Sequence, residues 1–272
     1  MGKYDGIYLY TDLDGTLLNS QLMVSDENRA AIDHFIQNGG HMGVATGRTP
    51  LNIECYRRQF STNALCVLFN GGALYDFDEA KFVDTCRLDR VAAAALIRRA
   101  MAIDPEVCVQ IFTSKGLYMP NPRQIPDPYA IKEGLSYETA PLSKIREEWL
   151  KIILCLPEER MDRLRERLST APDRELLTMV PTLRTYNEVI PSGVNKGSAL
   201  VRLRRVLGGR LKKLIAIGDF NNDLEMLEEA DFSAAPANAI EEARAVADVV
   251  VRDNDHSAIA DLLERTVFSQ AV

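Results

Sequence analysis

Asp12 and Asp14 stand two residues apart in Asp12-Leu13-Asp14-Gly15-Thr16, at the end of the apolar run Ile7-Tyr8-Leu9-Tyr10-Thr11. Two carboxylates that close repel each other unless a cation shares them. Mg²⁺ suits the position, because it takes hard oxygen ligands and often sits between carboxylates and a substrate phosphate. The pair therefore points to metal-assisted phosphate chemistry at a strand end. Asp-Gly is also ordinary turn chemistry, so the stretch read alone fits a surface turn equally well.

The neighbouring elements weigh against the turn. Ile7 to Thr11 reads as a buried strand, and Ser25-Asp26-Glu27-Asn28 opens a helix with Ser25 as its N-cap. A second apolar run, His41 to Ala45, ends in Thr46-Gly47-Arg48, and a helix over 49–60 follows. A third run, Leu65 to Phe69, ends in Asn70-Gly71-Gly72. Strand, helix, strand, helix, strand implies a parallel sheet covered by helices. In open α/β sheets ligands bind beyond the carboxyl ends of the strands, so Asp12, Thr46 and Asn70 would face one crevice.

The rhythm changes near Asp84. A helix over 88–102 is followed by a hairpin around Ser114-Lys115-Gly116, a Pro-rich segment over 120–128, a strand over 149–156 and a charged helix over 158–169. Two further strands are expected at 176–180 and 183–186. This composition reads as an inserted α+β domain, and such an insertion would act as a lid that excludes water. The predicted division is core 1–83, inserted domain 84–187 and core 188–272. The strand-helix rhythm then resumes. Asn195-Lys196-Gly197 introduces a helix with Ala199, Leu200, Leu203, Val206 and Leu207 on one face, and Leu214 to Ile217 is a strand ending in Gly218-Asp219-Phe220-Asn221-Asn222-Asp223. Residues 265–272 read as a frayed end.

Four motifs in order carry a resemblance: Asp-Leu-Asp-Gly-Thr at 12–16, Thr-Gly-Arg at 46–48, Asn-Lys-Gly at 195–197 and Gly-Asp-x-x-Asn-Asp at 218–223. The chain resembles a haloacid dehalogenase-superfamily phosphatase of the Cof-type group, with a type IIB cap. The resemblance implies a Rossmann-like core with an inserted α+β cap, and Mg²⁺-dependent hydrolysis of a small phosphomonoester such as a sugar phosphate. It implies Asp12 as the nucleophile that forms an aspartyl-phosphate and Asp14 as the general acid and base. Thr46 would hydrogen-bond a phosphoryl oxygen, and Lys196 would neutralise charge on Asp12. Mg²⁺ would be held by Asp12, Asp219 and the backbone carbonyl of Asp14. Asn222, Asp223, Gly47 and Asn70 would support this set.

Each residue also has a plainer reading. Thr46 and Asp223 could cap helices, Lys196 could be solvated, and Asp219 to Asp223 could form a polar loop or a weak calcium site. The chain also departs from the family pattern, with Pro236-Ala237-Asn238-Ala239 where Met-Gly-Asn-Ala is usual, Ser257 where glycine is frequent, and Asn70-Gly71-Gly72 for Asn-Gly-Ala. These bear on substrate fit. For substrate contacts the candidates are Arg48, Tyr118, Asn121, Arg123, Tyr186 and Asn187.

Composition limits the alternatives. The 272 residues are 46% hydrophobic and 26% charged with a formal charge of −7, which gives no general attraction to nucleic acid or anionic membrane. The six basic residues over 202–213 interleave with Leu203, Val206 and Leu207 and read as a solvated helix face. Five scattered cysteines without a C-x-x-C pair, and no signal-peptide pattern before the first strand, point to reduced thiols and a cytoplasmic location. A small phosphorylated metabolite is the expected partner. Two other readings stay open: a sugar phosphomutase, and a phosphorylation-dependent binding module, which would have no need of a lid.

Overall fold

The computed structural model describes residues 2–132, 134–170 and 175–268. They form two compact units, one of residues 1–84 and 195–272 and one of residues 85–194. The first unit opens with β1 (Ile7–Thr11), α1 (Asp26–Gln37), β2 (His41–Val44), α2 (Pro50–Arg57) and β3 (Cys66–Leu68). Ser25 caps α1 by accepting the Asn28 amide at 3.1 Å. β4 (Ala73–Asp76) and β5 (Lys81–Thr85) continue from β3 as a small three-stranded sheet in which β3 and β4 are antiparallel. This β4–β5 pair is absent from the sequence reading. Its strands are half-exposed, and their apolar residues come in short runs.

The second unit holds α3 (Arg90–Ile103), β6 (Cys108–Thr113), β7 (Leu117–Tyr118), α4 (Pro128–Lys132), β8 (Trp149–Cys155), α5 (Glu158–Leu168), β9 (Leu177–Leu183) and β10 (Tyr186–Pro191). Its sheet runs β7-β6-β8-β10-β9 and is antiparallel. Alternate residues Val109, Ile111, Ile152, Leu154 and Val189 pack with Ala93, Leu96 and Ile97 of α3 and Met161 and Leu164 of α5. β10 runs on to Pro191, which pairs with Leu177, so residues 188–194 belong to this unit and the return to the core falls at Asn195 instead of 188. A strand at 183–186 is replaced by the turn between β9 and β10.

The first unit is completed by α6 (Lys196–Leu207), β11 (Lys213–Ile217), α7 (Leu224–Glu229), β12 (Phe232–Pro236), α8 (Glu241–Val246), β13 (Val249–Val251) and α9 (Ala258–Leu263). Its main sheet is parallel, in the order β13-β12-β11-β1-β2, and β3 joins β2 through one bridge, Ala45 to Val67. Tyr8, Tyr10, Leu214 and Ala216 pack with Ala199, Leu200 and Leu203 of α6. Near-continuous burial along a strand is the mark of a parallel sheet covered on both faces. Val206 is 38% exposed, so the apolar face of α6 is narrower than its spacing suggests. Arg204 of the basic stretch pairs with Glu229 and Asp231. Of the expected frayed end, residues up to Phe268 are packed: Thr266 and Val267 are buried, and the Phe268 ring lies 5.6 Å from that of Tyr4. Residues 269–272 lie outside the described residues.

Candidate active site

Strand register brings the acidic residues together. Thr11 pairs with Ile217 in the parallel β1–β11 ladder, and the Asp12 amide extends it by donating to the Ile217 carbonyl at 3.0 Å. Asp12 and Gly218-Asp219 therefore leave the same edge of the sheet. β2 ends at that edge too, where the Ala45 amide donates to Thr11 O and the Thr46 amide to Val67 O. The chain turns sharply after Asp14. Gly15 has φ +79°, and a Cβ there would lie 2.5 Å from Asp219 Oδ2, so only glycine admits Asp219 so close.

The carboxylates of Asp12, Asp219 and Asp223 each offer an oxygen within 4.8 Å of the others. Lys196, fully buried at the first turn of α6, stands between two of them: its Nζ is 2.9 Å from Asp12 Oδ1 and donates to Asp223 Oδ1 at 2.6 Å. Asn195 fixes that helix start through a capping box, accepting the Ser198 amide at 2.7 Å while its own amide donates to Ser198 Oγ at 3.0 Å. Lys196 is thus no solvated surface lysine.

Asp223 Oδ2 accepts the amides of Asp219 and Phe220 at 3.0 and 3.1 Å. Its carboxylate shapes the 218–223 loop and anchors Lys196 instead of capping α7. Asp219 Oδ1 accepts from Thr16 Oγ at 2.6 Å. Among the described residues no hydrogen bond reaches Asp12 Oδ2 or Asp219 Oδ2.

Burial pushes the Asp12 carboxyl well above its ordinary range, the carboxylates of Asp223 and Asp219 add to this, and Lys196 pulls against it. Burial likewise pushes Asp219 up to about 6. The Lys196 ammonium is held charged, because Asp12 and Asp223 outweigh its burial. One cation against three clustered carboxylates leaves a deficit of positive charge. An all-oxygen donor set of this kind fits Mg²⁺.

Thr46 is buried, and its Oγ accepts the Arg48 amide at 3.2 Å. The helix-capping role belongs to Thr49, which accepts the Asn52 amide at 3.2 Å. Asn70 donates its amide to Thr46 O at 3.0 Å and accepts Asn222 Nδ2 at 3.0 Å through its side chain. A Cβ on Gly47 would lie 2.9 Å from the Asn70 amide group, so Gly47 lets Asn70 approach.

The Asp14 side chain lies outside the carboxylate cluster. It accepts both Nε and Nη2 of Arg48, each at 2.8 Å, so Arg48, expected among the substrate contacts, is engaged with an acidic residue of the site. Thr16 and Asn238 carry site contacts that the sequence reading assigned to neither residue. Asn238 Nδ2 donates to Gly15 O at 2.8 Å and its Oδ1 accepts the Asn254 amide at 2.9 Å. The available signal for both was position: Thr16 closes the first motif, and Asn238 sits in the segment that departs from the family pattern.

Two of the substrate candidates, Tyr186 and Asn187, are buried in the second unit. Tyr186 is buried and donates its hydroxyl to Asp127 Oδ1, while Gln110 Nε2 donates to Asp127 Oδ2 at 2.5 Å. Asn187 is buried at 3% exposure within β10. Neither side chain is presented at the surface of the structure. Tyr118 is half-buried against the hydrophobic cluster under the sheet, Asn121 is buried with its Nδ2 on the carbonyls of Pro105 and Val107, and Arg123 is exposed.

A parallel α/β core with an acidic cluster and a buried lysine at one sheet edge, interrupted by an α+β unit, defines a haloacid dehalogenase-type fold. The chain belongs to the haloacid dehalogenase-like hydrolases, whose family pattern matches residues 9–263. It is 24% identical to the 5-amino-6-(5-phospho-D-ribitylamino)uracil phosphatase YwtE of Bacillus subtilis, over 95% of this chain and 97% of that protein. It is 26% identical to the HMP-PP phosphatase of Klebsiella pneumoniae, over 93% and 92%. The crystal structure of TM0651 from Thermotoga maritima superposes with a TM-score of 0.83 at 29% identity, covering 96% of this chain and 97% of that one. The subclass IIB sugar phosphatase BT4131 shares the fold with a TM-score of 0.74 at 17% identity, over 97% and 99%. Among the described residues no helix is long and apolar enough to cross a membrane.

Proposed function

We propose that this chain is a Mg²⁺-dependent phosphatase that hydrolyses a small phosphomonoester through a phosphorylated Asp12. The observation that carries the reading is the position of Asp12, buried beside the Lys196 ammonium with Asp219 at the same sheet edge. The phosphatase names of the relatives support the reaction class.

The Asp12 carboxylate attacks phosphorus, and the bond from phosphorus to the substrate's alcohol oxygen breaks. Asp14 gives that oxygen a proton. It then takes a proton from the water that attacks phosphorus, and the bond to Asp12 breaks to release inorganic phosphate. Lys196 offsets the charge of Asp12 throughout, and Asp223 holds Lys196 in place. The Thr46 hydroxyl hydrogen-bonds a phosphoryl oxygen. Arg48 fixes the place of the Asp14 carboxyl, both of whose oxygens accept from its guanidinium fork.

Mg²⁺, held by the carboxylates of Asp12 and Asp219 and by the main-chain carbonyl of Asp14, would supply charge neutralisation for the phosphoryl oxygens. Asp223 has its oxygens committed to Lys196 and two amides, which suits it to orienting that set. In the α+β unit, the exposed Arg123 is a candidate for substrate selection.

The test is phosphate release from a panel of phosphorylated metabolites, with Mg²⁺ and with EDTA. Release that requires Mg²⁺ and is lost in Asp12→Asn supports the reading. A phosphomutase would instead return an isomeric phosphate ester, and a binding module would keep its phosphoryl group for hours.

A further inference from the structure

Arg202, on α6, donates from Nε to Asp84 Oδ2 at 2.6 Å and from Nη2 to the main-chain carbonyl of Gly71. Both partners matter to the layout of the core unit. Asp84 is its last residue before the chain enters the α+β unit. Gly71 closes the turn Phe69–Gly71, whose three residues all have positive φ: 57°, 53° and 98°.

Two successive non-glycine residues in the left-handed region are costly, and such a turn persists only where its neighbours hold it. Those neighbours can be named. The Asn70 amide donates to Thr46 O and the Phe69 amide to Arg48 O, at 3.0 and 3.1 Å. The start of α6 presses on the other side, where a Cβ on Gly71 would lie 2.0 Å from the Asn195 carbonyl oxygen. Arg202 completes the set. Helical side chains lean toward the N-terminus, so its guanidinium reaches back toward the end of α6 that carries Lys196. Its planar fork serves a carboxylate and a carbonyl together, which a lysine ammonium does less well.

We propose that Arg202 is a positioning residue that clamps the Gly71 carbonyl to Asp84. The clamp holds Asn70 in place for Asn222 and Thr46, and it ties this side of the site to the point where the chain leaves the core. The catalytic consequence rests on the phosphatase reading; the conformational one does not. Loss of the clamp displaces Asn70 slightly, so turnover falls while ground-state binding stays.

The experiment compares Arg202→Ala, Arg202→Lys, Asp84→Asn and the Arg202→Ala/Asp84→Asn double variant with the wild type. Steady-state hydrolysis of para-nitrophenyl phosphate in Mg²⁺, amide hydrogen exchange and thermal melting are measured on each. Arg202→Ala lowers kcat about tenfold with KM within about twofold, the pattern of a misplaced group. Exchange at the Asn70 and Gly72 amides rises about tenfold, while β11 keeps its protection and melting stays cooperative. The lysine variant recovers only part of both effects, and the double variant is no worse than Arg202→Ala. Wild-type kcat together with wild-type exchange over 69–72 in Arg202→Ala overturns the proposal, as does full recovery by lysine. Should the wild-type protein release no phosphate from any ester, the phosphatase reading fails, and exchange over 69–72 still decides for or against the clamp.

Discussion

Arg48 grips both carboxylate oxygens of Asp14 at 2.8 Å, and its guanidinium lies over the Tyr56 ring, 4.4 Å from the centroid. Bidentate pairing fixes a carboxylate's orientation as well as its place. Asp14 is nearly half exposed, so without this fork little would hold it. Arg48→Ala should lower kcat by about tenfold, because a small misplacement of an acid-base group is expensive. Initial-rate kinetics on a phosphomonoester checks this, with KM expected to change less than kcat.

Lys196 is buried with carboxylates on two sides. Removing one partner of a buried ion pair strands the others, at about 3–5 kcal/mol. Lys196→Met should therefore lose that much stability in the metal-free protein, and Mg²⁺ should restore part of it. Urea unfolding with EDTA and with Mg²⁺ measures both.

Asp219 sets a pH dependence. In the metal-free folded protein its carboxyl is pushed up to about 6, from an ordinary 3.8. The folded state then holds more protons than the unfolded one between those values. This group's contribution to stability is present below the ordinary value and is lost as pH rises through about 6. Metal-free protein should lose up to about 3 kcal/mol from this source between about pH 4 and 7. Mg²⁺ affinity should rise over the same window, since the metal needs the ionised carboxylate. Denaturant titrations and calorimetry across pH test the two signs together.

Gly15→Ala should be damaging out of proportion to one methyl group. The position has φ +79°, which costs an L-residue about 1–2 kcal/mol, and the new Cβ would press on Asp219 Oδ2. Both lower stability and weaker Mg²⁺ binding are expected, readable by thermal melting in EDTA and by isothermal titration.

The core was legible where chemistry and periodicity coincide. β1, β2 and β11 are apolar runs that turn polar at one end, and parallel register then forces Asp12, Thr46 and Asp219 to one edge. Partners that only the folded chain brings together were not legible. Nothing near Arg48 in sequence announces Asp14 as its acceptor, and nothing in the polar 120–128 segment marks Asp127 as the buried partner of Tyr186 and Gln110. β10 was cut short because its run of mixed residues, Asn187-Glu188-Val189, does not alternate cleanly. β4 and β5 escaped because each buries only a few side chains.

In the proposed reaction Asp12 accepts phosphorus. Single-turnover reaction with a phosphomonoester and Mg²⁺, quenched in acid and followed by mass spectrometry of the peptide that contains Asp12, tests it most directly. A phosphoryl group on Asp12 that forms and decays within the turnover, and never forms in EDTA, is the expected result. Unmodified Asp12 alongside normal phosphate release, or release at the wild-type rate from Asp12→Asn, would contradict it.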